Sequence, residues 1–225
     1  MKKNLLKVSA LTLALALPCF SAWADKYEIY PVPRSITMSN GTLALTQKVN
    51  VQCESTIDKI TRNRLASLLQ AHGMEAVFGG SEEGAISLRL GTVGSGEEVE
   101  TWAFGELGLA KAKIMVSKKF DRHAISVSDN GITILGEHTN AVFCGLASLE
   151  QMLEQQVEGA LEHTTIYDRA DQQNRGLVEG YYGYPYSVEV KKELMRYMMR
   201  YKMNTYMFGA KSDPYHSQMW KDAYP

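Results

Sequence analysis

The last quarter of the chain places the strongest constraint on its fold, because strand, helix and strand follow one another there with almost no linker. GLVEG (176–180) is a short apolar run closing on a glycine. SVEVKKELMRYMMRYK (187–202) has helical periodicity, with Val190, Leu194, Tyr197 and Tyr201 on one face and Ser187 placed as N-cap. MNTYMFG (203–209) reads as a second strand. Two strands joined through a helix run parallel, with a right-handed crossover. Such a pair alone has open edges and bare faces, whereas parallel sheets are covered on both. The unit therefore implies a larger assembly. A (β/α)8 barrel needs roughly 250 residues, far more than the stretch from Arg175 onward.

Upstream, the pattern mixes strands and helices. VNVQC (49–53) and AISLRL (85–90) alternate as half-buried strands do. HAISVSDNGITILGE (123–137) predicts a hairpin, with Asn130-Gly131 as a type I′ turn signal. Ile57, Ile60, Leu65, Leu68, Leu69 and His72 share one face of a helix that Gly73 ends. Val142, Leu146, Leu149 and Leu153 share a face of a second helix, capped by Thr139 or Asn140. The stretch 97–113 predicts no element. The expected architecture is an α+β domain over 25–170, an antiparallel or mixed sheet with helices on one face. The polar, aperiodic DRADQQNRG (168–176) marks its end. Residues 171–225 then begin a TIM barrel.

The first 24 residues carry a secretion signal: Lys2, Lys3 and Lys7, the apolar run VSALTLALAL, then Ala22-Trp23-Ala24 before the cut. A lipoprotein reading at Cys19 is the weaker one, since Pro18 stands where a small residue belongs. The apolar run is short for a membrane span. The expectation is an exported protein, periplasmic, secreted or at the cell surface, with no membrane association after cleavage. Losing three lysines takes the net charge from −1 to −4, with 21 Lys and Arg against 25 Asp and Glu. No basic cluster remains to neutralise phosphates, which argues against nucleic acid. Cys53 and Cys144 survive cleavage, either paired or as two separate buried thiols. No CxxC or HExxH occurs, and the five histidines lack metal-ligand spacing. No feature of the sequence fixes an oligomeric state.

Chemistry in such barrels sits at the carboxyl ends of the strands. One end offers Glu179, Gly180, Tyr181 and Tyr182, with Tyr184 and Tyr186 following. The other offers Gly209, Ala210, Lys211, Ser212 and Asp213, then Pro214 and His216. Aromatic rings stack on a pyranose face, glycine lets backbone approach hydroxyls, and an ammonium gives three donors to sugar oxygens. Each residue has an ordinary role as well. Glu179 suits an ion pair or an amide cap, Gly180 a turn, Lys211 a solvated loop, Asp213-Pro214 a loop opening, and His216 a structural position.

RGLVEGYYGYPYS (175–187) followed by KMNTYMFGAKSDPYH (202–216) resembles the opening of the catalytic barrel in glycoside hydrolase family 84, the β-N-acetylglucosaminidases that include O-GlcNAcases and enzymes called hyaluronidases. YPVPRSITMSNGTLAL (30–45), the hairpin and TNAVFCGLASLEQML (139–153) resemble the α+β domain preceding the barrel in families 84 and 20. The sequence departs from the family pattern at Ser212, an aspartate elsewhere, at Ala210, a common proline, and at Tyr181 and Tyr186, which replace Phe and Trp. Ser212 removes a charge beside Lys211.

The resemblance implies a substrate class, glycans bearing terminal β-linked N-acetylglucosamine, and no metal or organic cofactor. It implies two sugar-contacting residues, Gly180 through its backbone carbonyl and Lys211. It implies substrate-assisted retaining chemistry, in which the 2-acetamido oxygen attacks its own anomeric carbon to give an oxazoline while two adjacent aspartates move the proton. Glu179 is neither of these. In the family that aspartate pair lies at the end of a later barrel strand, which these residues do not reach, so the resemblance implies that the chain carries no catalytic residue and is expected to be inactive alone, as an N-terminal fragment. The alternative is a non-catalytic carbohydrate-binding or interaction module, or the remnant of a truncated enzyme. VEGYYG and KSDPYH argue against a family 20 hexosaminidase barrel.

Overall fold

The computed structural model describes residues 27–181 and 186–210. The signal segment with Cys19, the Tyr181 side chain, Tyr182, Tyr184, and Lys211, Ser212, Asp213 and His216 lie outside the described residues.

The elements run β1 (Ser35–Ala44), β2 (Lys48–Cys53), α1 (Lys59–Ala71), β3 (Glu75–Phe78), β4 (Ile86–Thr92), α2 (Glu98–Gly105), α3 (Lys111–Ile114), β5 (Phe120–Ser128), β6 (Gly131–Gly136), α4 (Thr139–Glu154), β7 (Ala160–Ala170), β8 (Gly176–Tyr181), α5 (Val188–Arg200) and β9 (Thr205–Ala210). β1 to β7 form one mixed sheet in the order β1-β7-β5-β6-β4-β2-β3. The β1, β7, β5 and β6 neighbours pair antiparallel, and β6, β4, β2 and β3 pair parallel.

The main core lies under α1 and α4. Val49, Val51, Leu88, Leu90, Ile125, Val127, Ile132 and Ile134 face Leu65, Leu68, Leu69, Val142, Leu146 and Leu149. Each such side chain contributes about 1.5–3 kcal/mol relative to exposure. Ile60 does not join this face and is exposed. Its place is taken by Thr61, whose amide donates to the Asp58 N-cap at 2.7 Å.

The expectation of helices on one face is corrected. Ala124, Leu135 and Tyr167, which alternate with the core-facing Ile125, Ile134 and Ile166, form a second cluster with Ala103, Leu109 and Ile114 of the α2–α3 segment. Helices thus cover both faces, and every residue of β6 is buried. This segment is also where the sequence predicted no element. Its helices are short and held from afar. The Glu54 carboxylate accepts from the Thr92 and Glu100 amides at 2.8 and 2.7 Å. Glu100 in turn accepts from the Gly94 and Gly96 amides at 2.6 and 2.8 Å.

The β5–β6 hairpin forms with Ser128 opposite Gly131, but its turn is not type I′. Neither Asp129 nor Asn130 has positive φ, and the left-handed residue is Gly131, φ 97°. That pattern suits a glycine bulge closing the turn. A Cβ at Gly131 would also fall 2.1 Å from the Ser87 carbonyl oxygen. The α4 cap differs too. The Ala141 amide donates to the His138 ring at 3.2 Å, while Thr139 accepts from the Asp58 amide and so ties the two helix starts together. Cys53 and Cys144 are both free. Burial pushes their thiols up to about 11 and about 12, so neither is a ready nucleophile.

β8 and β9 form a separate parallel pair in register from Gly176 opposite Thr205 to Tyr181 opposite Ala210, with α5 between them in sequence. Ser187 caps α5. Val190 and Tyr197, expected on a packed face, are exposed, and Met198 is the buried residue of α5. Gly176 is required by packing, because a Cβ there would lie 1.5 Å from the Thr205 oxygen.

Candidate functional site

The parallel register brings the two candidate strand ends side by side, with Gly180 opposite Gly209. Gly180 is exposed. Its φ is not in the left-handed region, and a Cβ built there meets no described heavy atom within 4 Å. Neither conformation nor packing among the described residues demands a glycine, in contrast to Gly176 and Gly131. Lys211, one residue beyond β9, is not among the described residues.

Glu179 is the best-defined side chain at this end. Its carboxylate is buried, with the residue 4% exposed. Oε1 accepts from the Tyr186 amide at 3.0 Å, and Oε2 accepts from the Tyr206 hydroxyl. Lys191 Nζ stands 3.6 Å from Oε2 and 4.3 Å from the centre of the Phe208 ring. Burial works to raise the Glu179 pKa, but the Tyr206 and Tyr186 donors and the Lys191 charge outweigh it and hold it below the ordinary value. An ionised carboxylate with both oxygens engaged accepts hydrogen bonds and does not deliver protons. Tyr186, the described residue nearest this cluster in the β8–α5 connection, is exposed.

A second polar cluster joins the seven-stranded sheet to the β8–β9 pair. Lys202 Nζ bonds Asp168 Oδ2 at 2.7 Å, and both side chains are buried. Arg175 reaches Asp121 Oδ2 at 2.5 Å and also donates to the carbonyls of Lys202, Gln172 and Gln173. His123 is wholly buried, with Nδ1 2.7 Å from the Asp121 carbonyl oxygen and Nε2 4.0 Å from Asp168. Burial lowers the His123 pKa against the pull of Asp168. Burial raises that of Asp168, but Lys202 and His123 bring it below the ordinary value. These residues line a cavity of about 230 Å³ with Arg34 and Cys144. Sequence reasoning missed this cluster. Its signal was present in the charged residues that open both barrel-like motifs, Arg175 of RGLVEG and Lys202 of KMNTY.

A hollow of about 980 Å³ lies among α1, α4 and α5, where Ile60, Phe143, Leu194 and Tyr197 meet Arg64 and Glu150; its lining does not include Glu179 or Gly180. Among the described residues, no group of three or more His, Cys, Asp or Glu side chains is placed to hold a metal ion, and no helix is long and apolar enough to cross a membrane.

Residues 26–169 match the family model described as glycosyl hydrolase family 20, domain 2, and residues 175–225 match the one described as beta-N-acetylglucosaminidase. Among solved structures, CpGH84D is 35% identical with a TM-score of 0.78, over 89% of this chain and 33% of that one. CpGH84B is 25% identical with a TM-score of 0.70, over 88% of this chain and 32% of that one. Protein O-GlcNAcase of Rattus norvegicus is 41% identical over 49 residues, 22% of this chain and 5% of that protein. The chain thus spans about a third of the solved relatives and a small part of the curated one.

Proposed function

We propose a function from the premise that the chain belongs to the glycoside hydrolase family 84 β-N-acetylglucosaminidases, its residues 26–169 being a family 20 type domain 2. The whole protein removes terminal β-linked N-acetylglucosamine from glycoconjugates by substrate-assisted, retaining chemistry. β8, α5 and β9 are the first βαβ unit of its TIM barrel, which residues 171–225 begin after the α+β domain of 25–170. Residues 1–24 direct export. The aspartate pair that handles the proton is not among these 225 residues, so on this reading they contribute sugar contacts and do not cleave the sugar.

The observation that carries this reading is Gly180. It sits exposed at a parallel strand end, and no described atom lies within 4 Å of where a Cβ would be, which leaves room for a sugar to approach. In this reading its carbonyl meets a sugar hydroxyl, and Lys211, next after β9, supplies the ammonium for the same ring. The Val178 and Met207 side chains exposed on the pair await cover from further strands and helices.

The test is turnover of 4-nitrophenyl N-acetyl-β-D-glucosaminide by the protein in its full natural reading frame. Release of nitrophenol is expected, unaffected by a metal chelator, while residues 25–225 alone give none. Absence of turnover on this and on other aryl β-N-acetylhexosaminides by the full-length protein would overturn the reading.

A further inference from the structure

Glu179 occupies a place that neither a proton carrier nor a simple surface ion pair would need. Strand alternation puts it on the side of α5, where it meets Lys191, and directs Val178 to the opposite face. In the register Glu179 lies opposite Phe208, and Tyr206 lies two residues earlier on the same side of β9. One carboxylate therefore touches four pieces of chain: the end of β8 that bears it, β9 through the Tyr206 hydroxyl, α5 through Lys191, and the approach to α5 through the Tyr186 amide. The Lys191 ammonium is itself fixed, shared between this carboxylate and the Phe208 ring. Gly180 is the next residue along, and its backbone has no side chain with which to anchor itself. Among the described residues, none at the strand end is better placed to hold the Gly180 peptide.

We propose that Glu179 is a positioning residue: by clamping Tyr206, Lys191 and the Tyr186 amide from behind the strand, it sets where the Gly180 carbonyl meets the sugar. The proposal rests on the sugar-site reading of Gly180. A carbonyl contact of this kind is made alike in the ground state and the transition state, so loss of the clamp raises KM and spares kcat. The hydrogen bonds concerned are charge-assisted, roughly twice as strong as neutral ones, so the neutral isostere is the informative change.

Glu179→Gln and Tyr206→Phe are made in the full-length protein and assayed on 4-nitrophenyl N-acetyl-β-D-glucosaminide across pH. In Glu179→Gln, KM is expected to rise about tenfold with kcat within about threefold and both limbs of the pH profile in place. Tyr206→Phe is expected to give a smaller rise in KM, and the double variant to be little worse than Glu179→Gln, because the two residues act as one unit. Loss of a limb of the pH profile would make Glu179 a proton carrier and overturn the proposal. An unchanged KM with a lowered Tm would reduce it to a structural ion pair. Amide exchange at Tyr186 reads the clamp without activity: it is expected to speed up about tenfold in Glu179→Gln, as loss of a charged acceptor predicts. Unchanged exchange overturns the clamp. An inactive wild-type protein with accelerated Tyr186 exchange would remove the sugar reading and leave the clamp standing.

Discussion

The seven-stranded sheet and the β8–β9 pair use similar apolar residues to different effect. In the sheet, Ile134 is 0% exposed, covered by α4, and its neighbour Leu135 is as completely buried by the α2–α3 segment. In the pair, Val178 is 70% exposed and Met207 59%, on strands just as regular. Val178 and Met207 lie opposite each other in an unbroken register, so regular pairing is not what exposes them. A β-branched or long apolar side chain stabilises a strand in proportion to the surface laid over it. The sheet closes its own core. The pair is attached to that core by charge, through Lys202–Asp168, Arg175–Asp121 and Arg200–Glu154.

The largest effect should come from cutting that attachment. Lys202→Met leaves the Asp168 carboxylate buried without its partner, which costs about 3–5 kcal/mol. Denaturant unfolding of the full-length protein would measure it, and a loss below 1 kcal/mol would break the picture of a charge-held joint. The joint also predicts a pH dependence. The folded pKa of Asp168 is depressed, so its contribution is present above the ordinary carboxylate value of about 3.9 and is lost as pH falls through the lower folded value. The folded pKa of His123 is also depressed, so the unfolded chain takes up its proton first, and stability begins to fall as pH drops below about 6.5. Thermal scans should show this early loss in the wild type and a flatter slope between about pH 6.5 and 5 in His123→Gln.

Next in size is the core of the sheet. Ile134→Ala should cost about 2–5 kcal/mol, since the side chain is packed against Gly145 on α4, where a Cβ would come within 2.6 Å of it. The smallest effect belongs to the open face. Val178→Ala and Met207→Ala in residues 25–225 should each change stability by less than about 0.5 kcal/mol. The same substitutions in the full-length protein sharpen the comparison: a much larger loss there would show that later chain covers this face.

The elements that could be read from the sequence are those whose signal is local. The β8–α5–β9 order, the Ser187 cap and the β5–β6 hairpin each rest on periodicity or on a residue within a few positions. What was not legible depends on distant partners. α2 is secured by Glu54, 46 residues before Glu100, and the second apolar face of the sheet emerges only when Ala124, Leu135 and Tyr167 come together. The turn departs from the type I′ geometry expected of Asn130-Gly131 because Asn-Gly suits two geometries, and the close approach of Ser87 to Gly131 favours the bulge. At the site, Gly180 could be singled out as a strand-end glycine. The meaning of Glu179 could not, because its hydroxyl donor lies 27 residues away on the neighbouring strand.

On the reading proposed above, Gly180 is bare to admit a sugar. The most direct test of this claim is kcat/KM of full-length Gly180→Ala on 4-nitrophenyl N-acetyl-β-D-glucosaminide, measured beside its Tm. A Cβ here meets no described atom within 4 Å, and the lost sugar approach predicts a fall in kcat/KM of about 100-fold, the scale of a 1 Å misplacement, with the Tm separating a binding loss from a packing loss. Full activity in Gly180→Ala at an unchanged Tm would contradict the claim.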